Sequence, residues 1–223
     1  METSMRWTSK DLDALPLEDG TRYEIIDGEL YVSKQPSWEH QFVCLQLVAL
    51  LHQWSTHTGH GVANIAPGLI FAPDDDVAPD VVWISTERLP SVLQPDGKLH
   101  GAPDLTIEVL SPGPQNVQRD RVTKLGLSSR RGVPEYWIVD WQWQQVEIYR
   151  SVEGTLCSVA IALSPYSVRA RCWNRRFYLA SPARYGSCPA DLHRGEHRDL
   201  YRSGRPGAQA PRLYNRVPRA CPG

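Results

Sequence analysis

Hydrophobic patterning ends near residue 163, so any packed core must be drawn from the residues before it. Residues 165–223 hold seven Ile, Leu, Val or Phe in 59 positions, together with 12 Arg, seven Pro and three of the five cysteines. That apolar content lies well below the roughly 20% at which packed cores stop forming. Charge divides at nearly the same place. Residues 1–150 carry 12 Lys+Arg against 21 Asp+Glu, whereas residues 151–223 carry 12 basic side chains, all Arg, against 4 acidic. An asymmetry of this kind marks parts that are not one folding unit. We therefore expect a domain over 1–163 and an irregular or disordered Arg/Pro-rich tail over 164–223. A shifted reading frame of a GC-rich gene accounts for such a tail, and a nucleic-acid-binding arm is its functional alternative.

Before residue 163, turns alternate with patterned segments. Tyr23, Ile25, Leu30 and Val32 flank Asp27-Gly28, a strong signal for a two-residue hairpin. Ser37 is placed to cap a helix over 38–56, with Phe42, Leu45, Val48, Leu51 and Trp54 along one broad apolar face. Residues 62–71 read as a strand interrupted by Pro67-Gly68, Asp74 to Asp76 as an acidic turn, and Val81 to Ile84 as a short strand. A polar connection over 86–102 leads to a strand from Leu105 to Leu110. A helix from about Val117 to Arg131 follows, then strands over 135–140 and 145–150. The order predicts an α/β (α+β) domain with a mixed β-sheet flanked by helices.

Several classes are excluded. No window approaches the 18–20 apolar residues of a membrane-spanning helix. The N-terminus lacks the basic-then-apolar layout of a secretory leader. Five widely spaced cysteines with no C-x-x-C suit a reducing compartment better than a disulfide framework or a zinc site. The expected location is cytoplasmic. His57 and His60 read as a solvated helix end, since no further ligands follow at zinc spacing.

Three acids stand where acids are costly. Asp80 opens an apolar strand, Glu108 lies within Leu-Thr-Ile-Glu-Val-Leu, and Glu24 lies in the first hairpin strand. A carboxylate in a buried strand needs a partner or a metal. The alternative is that Thr106 and Glu108 share the solvent face of an edge strand. Lys124 likewise reads either as a site residue or as one end of an i,i+4 pair with Asp120 on a solvated helix.

Asp80 within Val77-Ala-Pro-Asp-Val-Val resembles the first acidic element of the PD-(D/E)xK nuclease superfamily, and Glu108 resembles the second. The segments Tyr23-Glu-Ile-Ile-Asp-Gly-Glu-Leu30, Asp120-x-x-x-Lys124 and Gly132-Val-Pro-Glu-Tyr-Trp-Ile-Val-Asp140 more closely resemble the Uma2 (DUF820) family of restriction-endonuclease-like proteins, in order from about residue 8 to 160. The resemblance implies a restriction-endonuclease-like fold and a Mg²⁺-dependent (or Mn²⁺-dependent) endonuclease acting on DNA. It implies catalytic roles for Asp80, Glu108 and Lys124, and metal ligation by Asp80, Glu108, the Val109 carbonyl and Glu24. His40 is expected near the cleft. Leu110 stands where the superfamily has its lysine, so Lys124 is the natural substitute, and Ser128 replaces a Tyr usual in the family. A catalytically inactive binding or assembly module, including a homodimer, is the other reading.

Overall fold

In the computed structural model, which describes residues 6–12, 14–15 and 20–163, the chain forms two mixed sheets packed with helices. After a short helix α1 (Ser9–Leu12), β1 (Arg22–Ile26) and β2 (Glu29–Ser33) make the expected hairpin. Asp27 and Gly28 have φ of 53° and 78°, the left-handed pair of a turn whose twist matches its strands. Helix α2 (Trp38–Thr58) is capped by Ser37, whose Oγ accepts the His40 N–H at 3.3 Å. It ends at Gly59, whose φ of 71° lets its N–H reach the Ser55 carbonyl at 2.7 Å.

Four strands follow: β3 (Gly61–Ile65), β4 (Leu69–Ala72), β5 (Asp75–Val77) and β6 (Val81–Ser85). A one-turn helix α3 (Leu89–Val92) and β7 (Leu99–His100) lie in the stretch expected to be a plain polar connection. Beyond β8 (Leu105–Val109), one helical passage contains α4 (Pro114–Gln118), a π-helical turn (Arg119–Lys124) and α5 (Leu125–Arg130). The strands β9 (Glu135–Asp140), β10 (Gln145–Val152) and β11 (Thr155–Leu163) complete the described chain. The Arg-rich tail lies outside the described residues.

The strand orders are β2-β1-β5-β4-β7 and β11-β10-β9-β8-β6-β3. The sequence predicts one sheet, and the residues expected as one interrupted strand over 62–71 divide between two: β3 pairs with β6, β4 with β5 and β7. The predicted acidic turn is largely strand β5. Its Asp75 is buried because its carboxylate accepts the Asp27 N–H at 2.7 Å and pairs with Arg131, while Asp76 faces Lys98 at 3.4 Å. Local polarity reads as a turn, but distant cations make it a buried strand. Strand β11 was not foreseen.

β8 lies inside the larger sheet, antiparallel to β6 and parallel to β9. Leu105, Ile107 and Val109 turn one way and pack with Val43, Cys44 and Leu47 of α2. Thr106, Glu108 and Leu110 turn the other way, Leu110 packing with Tyr136, Ile138 and the start of α5. The predicted face of α2 is only partly right. Val48 and Leu51 pack inward, whereas Leu45 is 57% exposed, with Phe42 and Trp54 also exposed. Apolar residues are spread round much of the helix, so its period could not say which side meets the sheet.

Candidate active site

Two strands of different sheets and one helical turn bring the predicted acids together. Glu24 comes from β1, Asp80 from the residue just before β6, Glu108 from β8, and Lys124 from the π-helical turn. All four, with Val109, line a cleft of about 400 Å³. The solvent-face reading of Glu108 is overturned, because Thr106 and Glu108 are 1% and 2% exposed within an interior strand. The solvated-face reading of Lys124 falls as well. Its ammonium is buried, 2.9 Å from Glu24 Oε1 and 3.2 Å from Glu108 Oε2.

Asp120 and Lys124, four residues apart in the π-helical turn, share one face and are both buried. An added residue in a helical turn widens it and re-aims the side chains, a device common at functional sites. Tyr136 fixes the turn against β9 by donating its hydroxyl to the Asp120 carbonyl at 3.1 Å.

Asp80 has the most partners. Its Oδ2 accepts the Val109 N–H at 2.9 Å and lies 3.1 Å from His40 Nε2; Oδ1 is 3.5 Å from Arg22. Burial opposes its ionisation, but the His40 hydrogen bond and charge, the Lys124 ammonium and the Val109 N–H outweigh it and hold the carboxyl below the usual range. Glu108 goes the other way. Burial pushes it well above the usual range, and Asp80, Asp120 and Glu24 add to the push against Lys124. Asp120 is raised chiefly by burial, despite Arg119 at 3.4 Å. Lys124 keeps its proton, since Glu108, Glu24, Asp120 and Asp80 outweigh the burial that favours losing it. Acids held in such divergent states are characteristic of functional sites.

The donor set is hard. Carboxylates of Glu24, Asp80 and Glu108, beside the Val109 backbone, suit Mg²⁺ or Mn²⁺ better than softer metals. Glu24 and Glu108 flank the Lys124 ammonium, Asp80 lies near Arg22 and Asp120 near Arg119, so four carboxylates meet three cations and a bound cation would offset the remainder. Sequence reasoning missed Arg22, which lines the cleft together with Arg119, and treated Asp120 only as a helix-stabilising acid. A basic residue opening a strand carries no local signal of where it points. The exposed His57 and His60 stand apart from the site, as expected of a solvated helix end.

The family model described as "Putative restriction endonuclease" (Uma2) matches residues 9–170. A solved structure of "a putative nuclease belonging to DUF820" from Anabaena variabilis ATCC 29413 is similar in fold. Its TM-score is 0.52 at 22% identity, over 64% of this chain and 79% of that one. No curated protein matches the chain. Among the described residues, no helix is long and apolar enough to cross a membrane.

Proposed function

The chain belongs to the Uma2 family, and on that premise we propose that it is a metal-dependent endonuclease that hydrolyses DNA phosphodiester bonds in the cytoplasm. The observation that carries this reading is the meeting of Glu24, Asp80, Glu108 and Lys124 in one buried cleft with Arg22 and Arg119 at its mouth. Asp80, Glu108, Glu24 and the Val109 carbonyl would hold Mg²⁺ or Mn²⁺. An extended residue presents its N–H and C=O to the same neighbour, and the Val109 N–H already meets Asp80. A bound divalent ion would neutralise the phosphate and make a water more acidic.

The remaining roles belong to the chain's own groups. Lys124 is the fixed cation for charge developing on the phosphoryl oxygens, placed in a buried position where such a charge counts most. Arg22 and Arg119 meet the phosphate from the rim, where a guanidinium fork matches its oxygens. His40 orients Asp80 from behind. Lys124 thus takes the place that Leu110 leaves empty. The acid surplus of residues 1–150, 21 Asp+Glu against 12 Lys+Arg, opposes DNA binding, so affinity has to come from the bound metal and the arginines of the cleft. Homodimerisation is no part of this reading.

The test is cleavage of supercoiled plasmid with Mg²⁺, Mn²⁺ or chelator, using the full chain and its Asp80→Ala and Glu108→Ala variants. Nicking or linearisation is expected only with metal, and a loss of at least about 100-fold in either variant. DNA left intact by the parent chain in both metals would reject catalysis and favour the inactive module.

A further inference from the structure

Behind the acidic cleft lies a second donor set of different chemistry. His40 and Cys44 stand one turn apart on α2, with Cys44 Sγ 3.6 Å from His40 Nδ1. On the ring's other side, His40 Nε2 is 3.1 Å from Asp80 Oδ2. The thiol sulfur, one ring nitrogen of His40 and one oxygen of Asp80 all lie within 4.8 Å of one another. All three side chains are buried, and Cys44 is a free cysteine. His40 and Asp80 also line the cleft, so an ion has a way in.

We propose that Cys44, His40 and Asp80 form a site for a thiophilic divalent ion, Zn²⁺ or Cd²⁺, that competes with the hard-cation site for Asp80. Sulfur and imidazole donors favour such ions over Mg²⁺. Bonds of about 2.3 Å to sulfur and 2.0–2.1 Å to nitrogen put tetrahedral neighbours roughly 3.5 Å apart. The Cys44–His40 Nδ1 pair already has that spacing, while Asp80, which bonds Nε2 on the ring's other side, has to be brought to the ion by a turn of the imidazole or a shift of the carboxylate. Burial, with Asp80 and Glu108 nearby, keeps the thiol protonated. Binding therefore replaces the S–H bond by a sulfur–metal bond and releases that proton to solvent. Competition follows because both ions draw on the single negative charge of Asp80, and two dications that close together repel each other. The site itself is independent of the nuclease reading, while the competition rests on its metal ligands.

Titration of the full chain with Co²⁺ or Cd²⁺ tests the site through the near-ultraviolet thiolate-to-metal absorption. A band saturating at one ion per chain is expected, displaced by Zn²⁺ and lost in both Cys44→Ser and Cys44→Val. Absence of the band, or its persistence in either folded variant, overturns the site whether or not the protein cuts DNA. Two variants guard against one failing to fold, and the parent titration alone can refute the site. Competition is read separately from the electron-spin resonance of bound Mn²⁺. One equivalent of Zn²⁺ should displace Mn²⁺ from the parent chain at least tenfold more effectively than from Cys44→Ser. Equal displacement, or no Mn²⁺ bound at the start, overturns the competition and leaves the thiolate result standing by itself.

Discussion

A lysine only 4% exposed must be held by charge, and Lys124 is held by acids from two different sheets, Glu24 of β1 and Glu108 of β8. Breaking a buried pair by removing one partner costs about 3–5 kcal/mol, because the other is left uncompensated. Lys124→Met should lose stability of that order in a urea melt at neutral pH. Millimolar Mg²⁺ should raise the melting temperature of this variant more than that of the parent, since a divalent ion can then supply the missing positive charge. An equal rise would show that the ammonium and the ion do not share the same acids. At this scale much was legible. An acid inside an apolar strand is costly enough to advertise itself, and so Asp80, Glu108 and Glu24 could be picked out. Arg22 and the His40–Asp80 hydrogen bond could not, because partners 40 or 58 residues apart meet only after folding.

Among the elements, strands with β-branched residues and clear turns were readable, whereas the π-helical turn was not. Nothing in Arg-Asp-Arg-Val-Thr-Lys distinguishes a widened turn from an α-helical one. The extra residue is held by Tyr136 and by the ion pairs of Lys124. Deleting the exposed Val122 should return the passage to a regular α-helix and leave its flanks in register. The melting temperature should be kept or raised. DNA cleavage should fall at least about 100-fold, because misplacing a catalytic group by about 1 Å is enough for that. A deletion variant that melts like the parent and cuts equally well would show that the widened turn has no part in aiming Lys124. Helix α2 was readable as a helix but not by its buried face. Choosing that face needs the shape of the sheet beneath.

Across the whole molecule, the division into two sheets was hidden, since sheet membership is decided by pairing between distant segments. The smaller sheet is tied to the helical passage after β8 by ion pairs: Glu24 with Lys124, Asp27 with Arg130, and Asp75 with Arg131. They differ in burial, and so in worth. Arg131→Met strands the fully buried Asp75 and should cost about 2–3 kcal/mol, somewhat less than a wholly buried pair because Arg131 is itself partly exposed. Arg130→Met breaks an exposed pair and should cost below about 1 kcal/mol. Urea denaturation of the two variants side by side checks the contrast, and equal losses would contradict it.

The alternation along β8 has a consequence for how the chain assembles. A slip of one residue against β6 or β9 would turn Glu108 toward Val43 and Leu47 and bring Ile107 and Val109 out into the cleft. A bare carboxylate among those side chains is among the costliest burials a protein can make. An all-apolar strand would tolerate such a slip far better. Glu108 therefore proofreads strand alignment as the sheet forms, and one side chain links faithful assembly to the presence of an acid in the finished cleft.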